Sequence, residues 1–127
     1  MKTILIVEDN AANMKLATML LRKAGYAVLG AGNAEDGIAI ARAEPPDLVL
    51  MDIQLPGMDG LEATRLLKGD PATRAIPVVA LTAHAMKGDD ARILEVCDGY
   101  IAKPLRYKEF LAEVEKQLGG KGNGSGL

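Results

Sequence analysis

Tryptophan is absent from this chain, phenylalanine occurs once and tyrosine three times, so any core must be aliphatic. A single cysteine, Cys97, and a single histidine, His84, exclude an intramolecular disulfide and a cysteine- or histidine-rich metal cluster. No lysine and arginine block is present either. The 15 basic and 17 acidic residues leave a net charge of −2, which gives no electrostatic footprint for nucleic acid or an anionic membrane. Apolar runs such as residues 4–7 are too brief for a signal sequence or a membrane span. A Gly-x-x-x-x-Gly-Lys-Ser/Thr loop is missing, which argues against nucleotide hydrolysis, and Gly30-x-Gly32-x-x-Glu35 lacks the third glycine of a dinucleotide fingerprint. These absences point to a soluble cytoplasmic protein.

What is present is one domain's worth of chain. Its 127 residues, 49% of them hydrophobic, suffice for a core without staples. Residues 48–51 form a short apolar run between Pro46-Asp47 and Pro56-Gly57, the pattern of a strand buried on both faces of a parallel sheet. Residues 4–7 repeat it. Residues 26–31 read as a weaker strand, 76–81 as a fourth and 100–102 as a fifth. Between them lie helical patterns with their own start and stop signals. Asn10, Asn33 and Asp59 stand as N-caps, Gly25 as a stop, and Pro45-Pro46 and Gly69-Asp70-Pro71 as breakers. The first helix places Ala17, Leu20, Leu21 and Ala24 on one face, with Met14 and Met19 as packing residues; the third carries Leu61, Leu66 and Leu67. A fourth opens at Asp89 or Asp90 and runs through Ile93 and Leu94 to about Val96. The last, from about Arg106, aligns Phe110, Leu111, Val114 and Leu118. Five strand–helix repeats require right-handed crossovers, and so predict a doubly wound, five-stranded parallel α/β sheet over residues 1–118. The glycine-rich residues 119–127 have nothing to bury and are expected to be a disordered tail.

In such a sheet every strand ends on the same edge, where ligands collect. The strand ends deliver Glu8 and Asp9, then Asp52, Thr82 and Lys103, while the second strand delivers only Gly30-Ala31-Gly32. Each residue alone has an ordinary explanation as a cap, a turn or a surface charge. Together they predict a site. Three clustered carboxylates repel one another unless cations join them. Lys103 supplies one charge, and a hard divalent ion with oxygen ligands, Mg²⁺ rather than zinc, supplies the rest. A carboxylate beside Mg²⁺ and an ammonium is suited to in-line attack on a phosphoryl group, giving an aspartyl phosphate at Asp52.

The same residues carry a resemblance. Glu8-Asp9, the Asp52-x-x-Leu-Pro-x-x-Asp-Gly60 run, Thr82-Ala83, Tyr100 and Lys103-Pro104 resemble the receiver domain of two-component response regulators, a CheY-like, flavodoxin-like fold. Val7-Glu8-Asp9-Asn10, residues 51–56 and residues 82–88 look most like stand-alone cell-cycle receivers of the DivK type, although receivers of hybrid histidine kinases share these runs. The resemblance implies strand order 2-1-3-4-5. It implies that Asp52 accepts a phosphoryl group from a phosphohistidine on a histidine kinase or phosphotransfer protein. Asp9, Asp52 and the Gln54 carbonyl would hold Mg²⁺, with Glu8 acting mainly through water. Lys103 would contact Asp52 and the phosphoryl group, Thr82 and Ala83 would bind the phosphoryl oxygens, and Tyr100 would turn inward as Thr82 moves. Lys103–Pro104 is expected to be cis. Gln54 and His84 would set the lifetime of the phosphoryl group. Met86, Lys87, Leu105, Arg106 and Tyr107, with Tyr100, would contribute to a partner face made by helix 4, strand 5 and helix 5. The chain departs from the family at Glu95-Val96-Cys97-Asp98, which lacks the usual glycine at the end of helix 4, so that helix should end differently.

The function expected is therefore a phosphorylation switch whose output is a protein contact or onward phosphotransfer, as a monomer or a weak phosphorylation-dependent dimer. Beyond its own phosphorylation and dephosphorylation it is expected to catalyse nothing. Two rivals fit less well. A phosphohydrolase of the haloacid-dehalogenase type needs a second Asp at position 54, where Gln stands, and a cap domain. A flavodoxin-like FMN carrier needs a Ser/Thr-rich loop after the first strand.

Overall fold

A computed structural model describes residues 1–83 and 89–119. The expectations for His84, Met86, Lys87 and residues 120–127 fall outside them. The described chain alternates strands and helices: β1 (Thr3–Val7), α1 (Ala11–Lys23), β2 (Ala27–Ala31), α2 (Ala34–Ala43), β3 (Leu48–Asp52), α3 (Gly60–Gly69), β4 (Val78–Thr82), α4 (Asp89–Val96), β5 (Gly99–Ala102) and α5 (Tyr107–Gln117). The strands form one sheet in the order β2-β1-β3-β4-β5, every pair parallel.

Alternation along each strand divides the core in two. Leu5, Val7, Val49, Met51, Val78 and Ala80 face a layer made by α2, α3 and α4, with Ile38, Leu61, Leu67 and Ile93. Ile4, Ile6, Leu48, Leu50, Val79 and Leu81 face α1 and α5, with Leu21, Phe110 and Val114. Burial of each large aliphatic side chain contributes about 2 kcal/mol against leaving it in water.

The caps stand where the side-chain chemistry placed them. Asn10 accepts from the Asn13 N–H at 2.9 Å, Asn33 from Asp36 at 2.8 Å and Asp59 from Glu62 at 2.9 Å. Gly25 takes a left-handed φ of 98° just past α1. Two assignments need correction. Met19 is 55% exposed and Leu66 45%, so neither is a core residue. Each sits at the edge of an apolar stripe, where helical periodicity alone does not separate the buried rim from the wet one. β4 also starts two residues later than the apolar run suggests. Pro77 has no N–H to donate, and the Ile76 N–H bonds back to Thr73 at 3.0 Å.

Helix α4 ends in an unusual way. The Cys97 N–H reaches Ile93 O at 2.7 Å, and the next N–H, of Asp98, already pairs with Val78 O at 2.8 Å. Among the described residues only glycines have positive φ, and none lies at this junction. Asp98 does the terminating instead: its Oδ2 accepts the Val78 N–H at 2.8 Å and Lys68 Nζ at 2.7 Å. Lys68 also donates to Ile76 O at 3.0 Å, so the starts of β4 and β5 and the end of α3 are tied together.

Candidate functional site

Four adjacent strands, β1, β3, β4 and β5, deliver their ends to one edge, and backbone bonds fix the delivery. Beyond β1 the Glu8 N–H bonds to Ala31 O at 3.0 Å; beyond β3 the Ile53 N–H bonds to Leu81 O at 3.0 Å; beyond β5 the Lys103 N–H bonds to Thr82 O at 2.8 Å. The ladder therefore carries one residue past each strand, and the side chains that follow project into a shared concavity.

There Lys103 Nζ lies 3.0 Å from Glu8 Oε1 and 3.2 Å from Asp52 Oδ2. Asp52 Oδ1 accepts the Gln54 N–H at 3.0 Å, and Glu8 Oε2 accepts the Asn10 N–H at 3.1 Å. Glu8 and Asp52 are buried, whereas Asp9 is exposed at the rim. Carboxylate oxygens of Glu8, Asp9 and Asp52 lie within 4.8 Å of one another. Glu8 Oε1 is within ion-pair reach of the ammonium but accepts no directed hydrogen bond.

One ammonium cannot balance three carboxylates. Burial pushes the Asp52 carboxyl above the ordinary carboxylate range; the close approach of the Glu8 carboxyl and its charge push the same way, and the Gln54 N–H and Lys103 only partly oppose them. Burial works against the charge of Lys103, but its ion pair with Glu8 and the field of Asp52 outweigh it, so its pKa is raised. A cluster of hard oxygen donors with excess negative charge, one buried oxygen lacking a directed donor, and one carboxylate open to solvent suits Mg²⁺ with part of its water shell retained.

The remaining predicted residues fall as follows. Thr82 is buried at the end of β4, and Ala83 is exposed just beyond it. Tyr100 is half-buried in β5 and packs against the core layer of α2, α3 and α4. The Lys103–Pro104 peptide is cis. Gln54 is exposed. Arg106 and Tyr107 are exposed at the start of α5, but Leu105 is half-buried and packs against the α1/α5 core layer, so its apolar surface is partly used by the fold. Two contacts were not anticipated from the sequence. Lys103 is shared with Glu8 and does not serve Asp52 alone, and the Asn10 N–H orients the second Glu8 oxygen. The only signal for them was the adjacency of Glu8, Asp9 and Asn10.

An acidic cluster of this kind at the carboxyl edge of a parallel sheet fits a magnesium-binding phosphoacceptor site, which places the chain among signalling switches. It matches the response regulator receiver domain over residues 4–115 and belongs to that family. It is 46% identical over 119 residues to the polar-differentiation response regulator DivK of Brucella anthropi, with 93% of this chain and 97% of that protein covered. Among solved structures, the receiver domain of a sensor histidine kinase from Pseudomonas aeruginosa, with magnesium coordinated in its active-site cleft, is similar at a TM-score of 0.86 and 34% identity, covering 93% of this chain and 98% of that one. The signal receiver domain of a signal transduction histidine kinase from Syntrophus aciditrophicus gives 0.86 and 31%, covering 100% and 97%. No helix among the described residues is long and apolar enough to cross a membrane.

Proposed function

We propose that Asp52 is the phosphoacceptor of this receiver. A phosphohistidine on a histidine kinase or phosphotransfer protein donates the group: an Asp52 oxygen forms the new P–O bond, and the P–N bond breaks with its electron pair returning to the imidazole. Asp9, Asp52 and the Gln54 carbonyl would hold Mg²⁺, with Glu8 acting mainly through water, and the bound ion would supply positive charge for the phosphoryl oxygens. Lys103, beside Asp52 Oδ2, supplies a further positive charge. Thr82 and the Ala83 backbone take up phosphoryl oxygens, and Tyr100 follows Thr82 inward. This biases an existing equilibrium at the α4–β5–α5 face, where Tyr107 and Arg106 stand exposed.

The observation that carries this reading is the placement of Lys103 Nζ within 3.2 Å of Asp52 Oδ2, with Asp9 on the same cluster. The chain catalyses nothing beyond its own phosphorylation and dephosphorylation, works in the cytoplasm, and signals through protein contacts as DivK-type receivers do. The test is incubation with Mg²⁺ and acetyl phosphate followed by intact-mass analysis. Wild type is expected to gain one phosphoryl group and Asp52→Asn none. Equal labelling of both, or turnover of phosphate esters without labelling, defeats the proposal.

A further inference from the structure

Among the described residues, four glycines would take a methyl group without pressing on the site. A methyl group built on Gly32 or Gly69 meets nothing within 4 Å. On Gly30 it meets the end of Met14 at 3.3 Å, and on Gly99 the ends of Glu113 and Gln117, all flexible side chains that can move aside. Gly25 and Gly57 hold left-handed φ values of 98° and 75° and are constrained by their own backbone. Two others are constrained by what they touch. On Gly37 in α2 the methyl would lie 2.7 Å from Val7 Cγ2 and 3.3 Å from Cγ1, both on a short, rigid, fully buried side chain. On Gly60, the first residue of α3, it would overlap the backbone carbonyl of Asp52 and lie 2.9 Å from Ile53 Cα.

Their positions are not interchangeable with the rest of the helices. Val7 is the last residue of β1, directly before Glu8 and Asp9, and Asp52 is the last of β3. α2 and α3 lie on the same face of the sheet. Two neighbouring helices therefore each press a bare Cα against a different acid-bearing strand end. Gly60 holds its contact further with an N–H bond to Ile53 O at 3.0 Å. The β-strands themselves are registered by the β1–β3 ladder, Val7 beside Met51, so displacement of either tip changes the separation of Asp9 from Asp52.

We infer that Gly37 and Gly60 are positioning residues for the cation site, fixing the two strand tips at the separation at which their carboxylates share one ion. The inference rests on the phosphoacceptor reading above. Relieving approaches this close takes a shift comparable to the roughly 0.5 Å within which a pre-organised ligand set must be held.

The test is calorimetric titration of purified protein with Mg²⁺ alone, beside thermal melts. Gly37→Ala is expected to weaken Mg²⁺ binding about tenfold. Trimming the opposing side chain, in Gly37→Ala with Val7→Ala, is expected to restore it to within about threefold, because the space lost at one residue is returned at the other. Gly60→Ala meets backbone and has no such rescue, so its loss is expected to persist with Val7→Ala. Leu67→Ala, a buried α3 change away from the site, lowers the melting temperature but leaves Mg²⁺ affinity within about twofold. If Gly60→Ala does not fold, the Gly37 and Val7 arms decide alone. Glycine variants that bind like wild type, a Leu67→Ala loss as large as theirs, or no rescue by Val7→Ala overturns the inference while the function stands. Wild type that takes neither Mg²⁺ nor phosphate overturns both.

Discussion

The two edges of the sheet treat their charges in opposite ways. At the amino-terminal edge Asp98 is fully answered: a backbone N–H at 2.8 Å and an ammonium at 2.7 Å, with Lys68 further bound to a carbonyl. At the carboxyl-terminal edge, among the described residues, three carboxylates cluster about a single ammonium, and the buried oxygen of Glu8 lacks a directed donor. The first arrangement is complete within the chain and stabilises the fold. The second is complete only when a cation arrives, so the chain bears a repulsion there that the fold alone does not relieve. The difference separates structure from function more clearly than burial does, since both edges contain partly or fully buried ions.

Removing Lys103, the ammonium paired with the acids of the carboxyl edge, should have the largest effect. Loss of one partner from a buried pair costs about 3–5 kcal/mol; proton uptake by Asp52 trims this, so Lys103→Met is expected to cost about 2 kcal/mol in urea denaturation at neutral pH. Added Mg²⁺ should recover part of it. At the other edge Asp98→Ala leaves the Val78 N–H without its side-chain acceptor and is expected to cost about 1–2 kcal/mol, with labelling by acetyl phosphate unchanged. A drop in labelling there would erase the distinction between the edges.

The pH response sharpens the contrast. Asp52 has a folded-state pKa raised above its unfolded value of 3.8. Such a group favours the native state while protonated, so stability is lost as pH rises from the unfolded value through the folded one, the reverse of a salt-bridged carboxylate. Lys103 is also raised, from 10.5; its contribution is complete below that value and is lost only as pH climbs through its higher folded pKa. Asp52→Asn is therefore expected to stabilise the metal-free protein at pH 7 by on the order of 1 kcal/mol and to flatten the acid-to-neutral fall. Stabilisation of wild type by Mg²⁺ should grow over the same interval. A thermal melt series across pH with and without Mg²⁺ checks both. The smallest effect belongs to the exposed Arg42–Asp70 pair at 2.7 Å. There the Ala72 N–H and then Arg42 hold Asp70 below its usual range, but surface pairs are heavily screened, and Arg42→Ala is expected to leave the denaturation midpoint unchanged.

Much of this was legible in the residue order. Short apolar runs ended by charged or hydroxyl residues gave the strands, and a parallel sheet then dictated that Glu8, Asp9, Asp52, Thr82 and Lys103 meet. Asn10, Asn33 and Asp59 act through bonds only three residues long, which is why sequence spacing located them. The contacts that escaped are long-range. Lys68 and Asp98 are thirty residues apart, and nothing local in either predicts the other. The sharing of Lys103 with Glu8 depends on side-chain reach across β1, β3 and β5, which strand order does not specify. Met19 and Leu66 escaped for the opposite reason: the local pattern was clear, but the width of the apolar stripe is set by neighbours.

Lys103 is held at both ends of its length, its N–H on the Thr82 carbonyl and its ammonium between two acids. Glu8 follows β1, Asp52 ends β3 and Thr82 ends β4, so this one residue is anchored to the tips of three separate strands and pins their relative places without help from any loop.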